Sequence, residues 1–189
     1  MQTGLPLRST ALAQLLLRGV IHTGDLVIDA TAGNGHDTLF LAEVVGAAGR
    51  VLAFDVQAAA IAATQARVAA KGWLERVELH QQSHEWLECH ATAASVTAVM
   101  FNLGYLPGGE HQVITETAST LAGLASAARL LKAGGVLSVV CYPGHAGGDH
   151  EAAAVVAWFS GRADEGWRVA RYGWPATRRP APFLLIGTK

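Results

Sequence analysis

The stretch "DLVIDATAGNGHDT", residues 25–38, decides the fold. Its first half is short, apolar and β-branched, which is typical of a buried parallel strand. Its second half carries two glycines just before a helical pattern, and glycines allow a backbone to approach a ligand closely because they have no Cβ. The first turn of the following helix offers free N–H groups. The stretch therefore predicts a strand, a ligand-binding loop and a helix.

The same alternation of strands and helices continues along the chain. We predict strands at residues 25–30, 50–56, 76–81, 96–102, 135–143, 167–174 and 181–189. We predict helices at residues 6–18, 36–46, 57–72, 84–91, 110–135 and 149–162. This order indicates a doubly wound α/β fold with a mostly parallel seven-stranded sheet, and the last two strands, with no helix between them, should form a terminal antiparallel hairpin. We expect one domain over residues 1–189, with residues 1–24 as an N-terminal helical extension.

Composition narrows the class of protein. The chain has 189 residues, 51% hydrophobic and 15% charged, and this composition argues against disorder. A formal net charge of −1 argues against a globally basic nucleic-acid binder and leaves a local basic patch open. Two cysteines build no disulfide framework, and no run approaches the roughly 20 apolar residues of a membrane span. We expect a cytoplasmic protein with no membrane partner.

An acidic residue follows the glycine loop at the spacing of a nucleoside-binding site. Asp55 ends the second predicted strand, "RVLAFDV", where a carboxylate can accept hydrogen bonds from a ribose diol. The dinucleotide fingerprint GxGxxG is incomplete, since Thr38 stands where its third glycine would be. Asp29, before the loop, would repel a pyrophosphate and attract the ammonium of a methionine moiety. The pattern favours S-adenosylmethionine over NAD, with a turn-forming role for Asp29 as the alternative.

The expected cofactor contacts lie at four strand ends. Ser83 and His84 follow the third strand, where such a fold contacts adenine, and Gln57 is placed to close the ribose pocket. The full set is Asp29, Thr31, Gly33, Asn34, Gly35, His36, Asp37, Thr38, Asp55, Gln57, Ser83, His84 and Asn102.

Several segments together resemble one bacterial family. They are "DATAGNGHDTLFLAE", "VLAFDVQAAAIAATQ", "SHEWL", "VMFNLGYLPGG", "YPGHAGGDHE" and the late "RYGW…PAPF", within residues 25–183. The chain is similar to tRNA 5-aminomethyl-2-thiouridine methyltransferases, once labelled rRNA methylases. The resemblance implies the class I, Rossmann-like methyltransferase fold and S-adenosylmethionine as cofactor. It also implies N-methylation of the aminomethyl group of the wobble uridine, with the tRNA anticodon loop as partner.

The turn "NLGYLPGG", residues 102–109, follows the fourth strand. "NLGY" resembles the Asp/Asn-Pro-Pro-Tyr motif of amino-group methyltransferases, with both prolines replaced. The resemblance implies that Asn102 and the Leu103 carbonyl accept hydrogen bonds from the target nitrogen, and that Tyr105 stacks on the base or walls the site. Such contacts hold the nucleophile in line with the methyl group. A plain strand-to-helix turn is the alternative.

An alkylamine poses a proton problem. Its pKa is roughly 10, so it arrives as an ammonium without a lone pair, although a neighbouring sulfonium should lower that pKa. The Asn102 amide cannot act as a base. Candidate proton acceptors are His84, His111 and His145. We favour His145, because it follows the fifth strand on the active face, with a water molecule as the alternative.

Basic and aromatic residues offer candidate RNA contacts, through phosphates and through stacking on an unpaired base. They are Arg8, Arg18, Tyr142, Tyr172, Trp174, Arg178 and Arg179. A solvated loop with an exposed aromatic residue is the alternative for the late segment. The oligomeric state stays open, and a homodimer is one option.

Two further groups of residues are candidate chemical sites. His80, His84, Cys89 and His90 lie close in sequence, but His80 falls in a predicted strand, so the spacing does not put them on one helical face and we expect no metal. Cys141 lies in an apolar strand and is interpreted as inert core. Three rival functions remain: methylation of rRNA or a small-molecule amine, an NAD-dependent oxidoreductase, and a non-catalytic RNA-binding module.

Overall fold

The structure is a computed structural model that describes residues 8–104, 116–144, 147–174 and 177–189. The strands are β1 (Leu26–Asp29), β2 (Arg50–Asp55), β3 (Val77–Gln81), β4 (Val96–Asn102), β5 (Leu131–Cys141), β6 (Arg168–Tyr172) and β7 (Phe183–Thr188). The α-helices are α1 (Ser9–Arg18), α2 (His36–Val45), α3 (Ala58–Ala69), α4 (Thr117–Leu130) and α5 (Gly148–Asp164), and short 3₁₀-helices span Leu74–Arg76 and His84–Cys89.

The seven strands form one sheet in the order β3-β2-β1-β4-β5-β7-β6. Neighbouring strands from β3 to β5 pair in parallel, whereas β7 is antiparallel to both β5 and β6. The predicted fold class, including the antiparallel ending, is confirmed. The order reverses between β1 and β4, and this switch point is where doubly wound sheets bind ligands.

Each face of the sheet is covered by helices. On one face, α4, α5 and the second 3₁₀-helix pack on a core that includes Phe54, Phe101 and Phe159. On the other, α1 and α2 pack on a core that includes Phe40 and Met100, with α3 beside α2. Burial on both faces explains why β1 and β4 read as continuous apolar runs rather than as alternating ones.

Helix α1, predicted as an N-terminal extension, packs onto the sheet. Ala13 and Leu17 are fully buried and belong to the same core as Val27 and Leu184. The helical spacing of its apolar residues supplies this buried side. The packing holds α1 over β5 and β7 and beside α2.

Several predicted boundaries differ from those of the structure. The helix expected to run to Gly134 and Gly135 ends at Leu130 within the described residues, and β5 begins at Leu131, which pairs with Val96. The glycines instead serve a bend inside the strand, since Gly134 has φ +76° and donates its N–H to the Lys189 carbonyl at 2.9 Å. The helix predicted at residues 84–91 is a 3₁₀-helix that ends at residue 89. Within the described residues, no helix has the length and apolarity needed to cross a membrane.

Replacing Gly49 by Ala should lower the free energy of unfolding by about 1–3 kcal/mol. The new Cβ would lie 2.5 Å from the Val45 Cβ and 2.8 Å from the Asp25 carbonyl oxygen, so α2 and the start of β2 would have to separate. Urea denaturation measures this change. The matched control is Gly161→Ala in α5, where nothing lies within 4 Å and stability should rise by about 0.5–1 kcal/mol. Equal effects of the two substitutions would contradict the packing explanation.

Candidate functional site

A cavity of about 540 Å³ opens at the carboxyl ends of β1, β2, β3 and β4. Its walls come from the loops that follow these strands and from the start of α4. The lining residues are Ala30, Thr31, Ala32, Gly33, Asn34, His36, Asp37, Asp55, Val56, Gln57, Gln82, Ser83, His84, Glu85, Asn102, Leu103, Gly104, Glu116, Ser119 and Tyr142. Ten of the thirteen predicted cofactor residues are in this set.

Asp55 connects the glycine loop to the end of β2. One carboxylate oxygen accepts the Gly33 N–H at 2.9 Å, and the other accepts the Gln57 N–H at 2.9 Å. A carboxylate has about four acceptor positions, so both oxygens keep capacity for a diol. The side chain is thus held in place and still able to accept hydrogen bonds from a ribose.

Gly35 allows the loop to lie against α3. Its φ is +76°, and a Cβ there would come within 2.8 Å of the Thr64 Cα. The Thr64 hydroxyl donates to the Gly33 carbonyl at 3.1 Å, and the Arg67 Nε donates to the Asn34 carbonyl at 2.7 Å. Because α3 satisfies these carbonyls, the opposite side of the loop faces the cavity.

Asp29 lies behind the loop, and the structure does not place it on the cavity wall. It is 1% exposed and accepts hydrogen bonds from the Thr38 hydroxyl and the Thr31 N–H. Burial raises the pKa of Asp29, and the charges of Asp37 and Asp55 raise it further. Gly35 and Thr38 are likewise absent from the wall. The contact of Asp29 with the cofactor ammonium therefore stays a prediction, and Asp37 is a nearby carboxylate that does line the cavity.

Asn102 lies at the end of β4, beside the loop after β1. Its backbone N–H donates to the Thr31 hydroxyl at 2.7 Å, and its amide nitrogen donates to Asp37 Oδ2 at 3.4 Å. Its amide oxygen is buried and has no hydrogen-bond partner among the described residues. Leu103 is on the wall as well, and its N–H donates to the Val140 carbonyl at 3.0 Å. The site thus contains an acceptor that lacks a donor.

Gln14, on α1, is a residue that sequence reasoning missed. Its amide nitrogen donates to Asp37 Oδ1 at 2.7 Å, across 23 residues. Burial raises the pKa of Asp37, while hydrogen bonds from Gln14 and Asn102 and the charge of His36 oppose the shift in part. The available signal was a single glutamine inside the apolar run "ALAQLLL".

The other end of the cavity contains Ser83 and His84, as predicted. The Ser83 hydroxyl accepts the Glu85 N–H at 3.3 Å and so caps the second 3₁₀-helix. His84 is 7% exposed, and its ring lies edge-on to Phe101 at 5.3 Å. Burial lowers the pKa of His84, so its ring is neutral at neutral pH. Val56, which follows Asp55, lines the cavity and is 52% exposed, but the sequence did not predict it as a site residue. An apolar residue next to an acid that binds ribose is a signal for a surface that contacts the base.

The candidate RNA residues lie at the same edge of the sheet as the cavity. Tyr142 lines the cavity, and Trp174, which follows the carboxyl end of β6, is 49% exposed. Arg178 and Arg179 are exposed in a segment whose Pro180 approaches Gly144. By contrast, Arg18 pairs with Glu43 and lies over the Phe40 ring. Three predicted residues lie outside the described part of the chain: Tyr105, His111 and His145.

The histidines that lie close together in the structure are not the whole set that is close in sequence. His80 and His90 meet Glu78, with ligand atoms within 4.8 Å of one another. His80 Nε2 lies 3.2 Å from Glu78 Oε1, and His90 Nε2 lies 2.8 Å from Gln82 Oε1, so each imidazole has a polar neighbour without an ion. The absence of a metal stays a prediction. Burial raises the pKa of the Cys141 thiol to about 12, which agrees with its interpretation as inert core.

The sheet order, the cavity at its switch point and the acid after β2 are those of class I methyltransferases that use S-adenosylmethionine. Residues 51–188 match the protein family described as "Putative rRNA methylase". The chain belongs to this family, and it is an S-adenosylmethionine-dependent methyltransferase. The predicted enzyme class and cofactor are confirmed.

Three relatives show how far the similarity extends. A chloroplastic "tRNA (mnm(5)s(2)U34)-methyltransferase" of Arabidopsis thaliana is 40% identical over 95% of this chain and 68% of its own length. The crystal structure of a "putative rRNA-methylase" from Clostridium thermocellum is 35% identical, with a TM-score of 0.93 over 97% of this chain and 99% of that one. A "putative methyltransferase" from Streptococcus mutans, in complex with SAH, is 31% identical, with a TM-score of 0.87 over 97% and 99%.

Replacing Asp55 by Asn should weaken binding of S-adenosylhomocysteine about 10- to 100-fold, because charge-assisted hydrogen bonds are lost and one backbone N–H then faces an amide NH₂. Isothermal titration calorimetry measures the affinity. Asp164→Asn, at an exposed acid at the end of α5, is the control and should bind as the wild type does. Unchanged affinity in Asp55→Asn would remove Asp55 from the ribose site.

Proposed function

We propose that the protein methylates the aminomethyl nitrogen of 5-aminomethyl-2-thiouridine at the tRNA wobble position and forms the methylaminomethyl group. The Arabidopsis relative, whose name specifies this nucleoside position, supports the choice of substrate. We further propose that the reaction takes place in the cytoplasm, in keeping with two free cysteines. We place the anticodon loop at the cavity mouth, and a homodimer remains an option for the assembly.

One observation carries this proposal: the unpaired amide oxygen of Asn102 on the cavity wall. A buried acceptor without a donor costs free energy, and an N–H group from the substrate removes that cost. Asp37 accepts from the Asn102 amide nitrogen, so the amide oxygen is left for the target. A nitrogen nucleophile, which keeps an N–H while its lone pair attacks, fits this acceptor better than a hydroxyl with one hydrogen.

The chemistry then depends on alignment. When bound, the cofactor supplies a methyl group on a positively charged sulfur. We assign Asp55 and Gln57 to its ribose, Ser83 and His84 to its adenine, and the loop at residues 31–37 to its amino-acid end. Asn102 and the Leu103 carbonyl orient the amine, and residues at the mouth exclude water.

The RNA would extend from the cavity toward β6. Strands in a sheet are about 4.8 Å apart, so Trp174 lies roughly 14 Å across the edge from Asn102, three strands away. Trp174 and Tyr172, both exposed, offer stacking surfaces, and Arg178 and Arg179 offer charges for phosphates. We assign Tyr142, which lines the cavity, to the modified base itself.

Deletion of the gene should leave tRNA with aminomethyl-thiouridine and without its methylaminomethyl form, as measured by nucleoside mass spectrometry. The purified protein should restore the methylated nucleoside on that tRNA with S-adenosylmethionine. Asn102→Ala should slow this transfer roughly 100-fold, since misplacing a nucleophile by about 1 Å has that effect.

Two controls accompany this test. Asn102→Ala should still bind S-adenosylhomocysteine, which separates positioning of the amine from loss of the cofactor. The same protein is also incubated with rRNA from the deletion strain. An unchanged tRNA profile together with methylation of rRNA would replace the proposed substrate, and full activity of Asn102→Ala would remove the role of Asn102.

Replacing Arg178 and Arg179 together by Ala should weaken tRNA binding and flatten its dependence on salt. Each lost phosphate contact to a single strand lowers the slope of log K against log salt by about 0.7, so the pair should lower it by about 1.4. Filter binding at several salt concentrations measures the slope. The control is Arg50→Ala with Arg168→Ala: both arginines are exposed, and both begin strands at the opposite edge of the sheet. Equal slopes for the two double variants would sink the assignment.

A further inference from the structure

The chemistry of an amine substrate leaves one task that Asn102 does not perform. An alkylammonium must lose a proton before its nitrogen can attack, and an amide has no basicity at neutral pH. A general base must lie within hydrogen-bond reach of the proton, directly or through one water molecule. This group must therefore lie close to the Asn102 amide.

We infer that the Asp37 carboxylate is the proton acceptor for the target ammonium, held in position by Gln14 of α1. This inference rests on the proposed function and assigns a step within it. Asp37 lines the cavity and is 7% exposed, and its Oδ2 accepts a hydrogen bond from the Asn102 amide nitrogen. It is thus the carboxylate nearest to the group that orients the amine.

The distances allow one nitrogen to contact both side chains. The oxygen and nitrogen of one amide are about 2 Å apart, and the hydrogen bond to Asp37 is 3.4 Å, so Asn102 Oδ1 and Asp37 Oδ2 are at most about 6 Å apart. A nitrogen between them can donate to each oxygen at about 3 Å. The Gln14 amide nitrogen donates to Asp37 Oδ1 at 2.7 Å, so Oδ2 is the carboxylate oxygen that lies beside Asn102.

The charges around Asp37 suit this role. Facing it are Asp29 from β1, His36 on its own helix and Tyr142 after β5. The pKa of Tyr142 is raised by burial and by the charge of Asp37, and a side-chain hydrogen bond with Asn102 opposes that shift in part. Arg8, before α1, also acts on Tyr142. Burial raises the pKa of Asp37, which narrows the gap between its pKa and that of the ammonium and eases proton transfer.

The step balances without a further reactant. The ammonium N–H bond breaks, an O–H bond forms on Asp37, and the electron pair of the broken bond becomes the lone pair of the amine. The amine nitrogen then forms a bond to the methyl carbon while the carbon–sulfur bond breaks and leaves its electron pair on sulfur. The product is a secondary ammonium, a neutral thioether and a protonated Asp37, which releases its proton to solvent.

Asp37→Asn tests the inference by the pH dependence of single-turnover methyl transfer at saturating cofactor. The wild-type rate should change little between pH 7 and 9. The variant should be at least about 100-fold slower at pH 7 and should gain about tenfold per pH unit, because it depends on amine already neutral in solution. Because Asp37 also belongs to the loop assigned to the cofactor, titration with S-adenosylhomocysteine establishes the saturating concentration for each protein. A wild-type rate at pH 7, or a slow rate that stays flat with pH at saturating cofactor, overturns the inference.

Gln14→Leu provides a second measurement if Asp37→Asn fails to fold. Loss of a hydrogen bond that favours the ionised carboxylate raises the pKa of Asp37, so the acid limb of the rate profile should move to higher pH. Gln65→Leu, at an exposed position of α3, is the control and should leave that limb in place. An unmoved limb in Gln14→Leu overturns the positioning role. If the wild type transfers no methyl group to this tRNA, the proposed function fails first and this inference falls with it.

Discussion

Three carboxylates meet around one loop, and their mutual repulsion is the constraint on which the site depends. Asp29, Asp37 and Asp55 come from β1, α2 and β2, and the raised pKa of Asp29 reflects burial and both neighbouring charges. Because the native state binds this proton more tightly than the unfolded chain does, the contribution of Asp29 to stability is full at acid pH and is lost as the pH rises through its folded pKa. Hydrogen bonds from the Thr38 hydroxyl, the Gln14 amide and backbone N–H groups offset the repulsion.

The same constraint selects the ligand. An uncompensated negative charge at a low-dielectric site favours cations, and the proposed reaction brings two of them together, a sulfonium and an ammonium. A dinucleotide pyrophosphate would meet repulsion at the same place. The sequence predicts this repulsion from Asp29, whereas in the structure Asp37 and Asp55 are the acids that line the cavity. All three acids belong to one cluster, so the same repulsion applies.

Local sequence patterns correctly predicted the structural features that depend on residues close together in the chain. Strand β4 agrees with its predicted bounds, since an apolar β-branched run between polar residues can hardly be anything else. The contact of Asn102 with Thr31 spans 71 residues and depends on β1 lying beside β4, a register that no local pattern encodes. Gln14 was missed for the same reason, because its role exists only once α1 is packed on the sheet. The start of β5 at Leu131 was hidden by glycines that usually end helices.

The neighbouring Asp37 explains why position 102 carries an amide side chain rather than a carboxylate. An aspartate there, as in part of the related motif, would put two carboxylates within hydrogen-bond distance, and one of them would have to bind a proton. The asparagine instead donates to Asp37 without adding a second charge, and it keeps an acceptor oxygen that the proposed reaction gives to the substrate. In the proposed mechanism, orientation of the amine and removal of its proton are thereby divided between two side chains. The turn after β4 then needs no base of its own, because α1 and α2 hold one beside it.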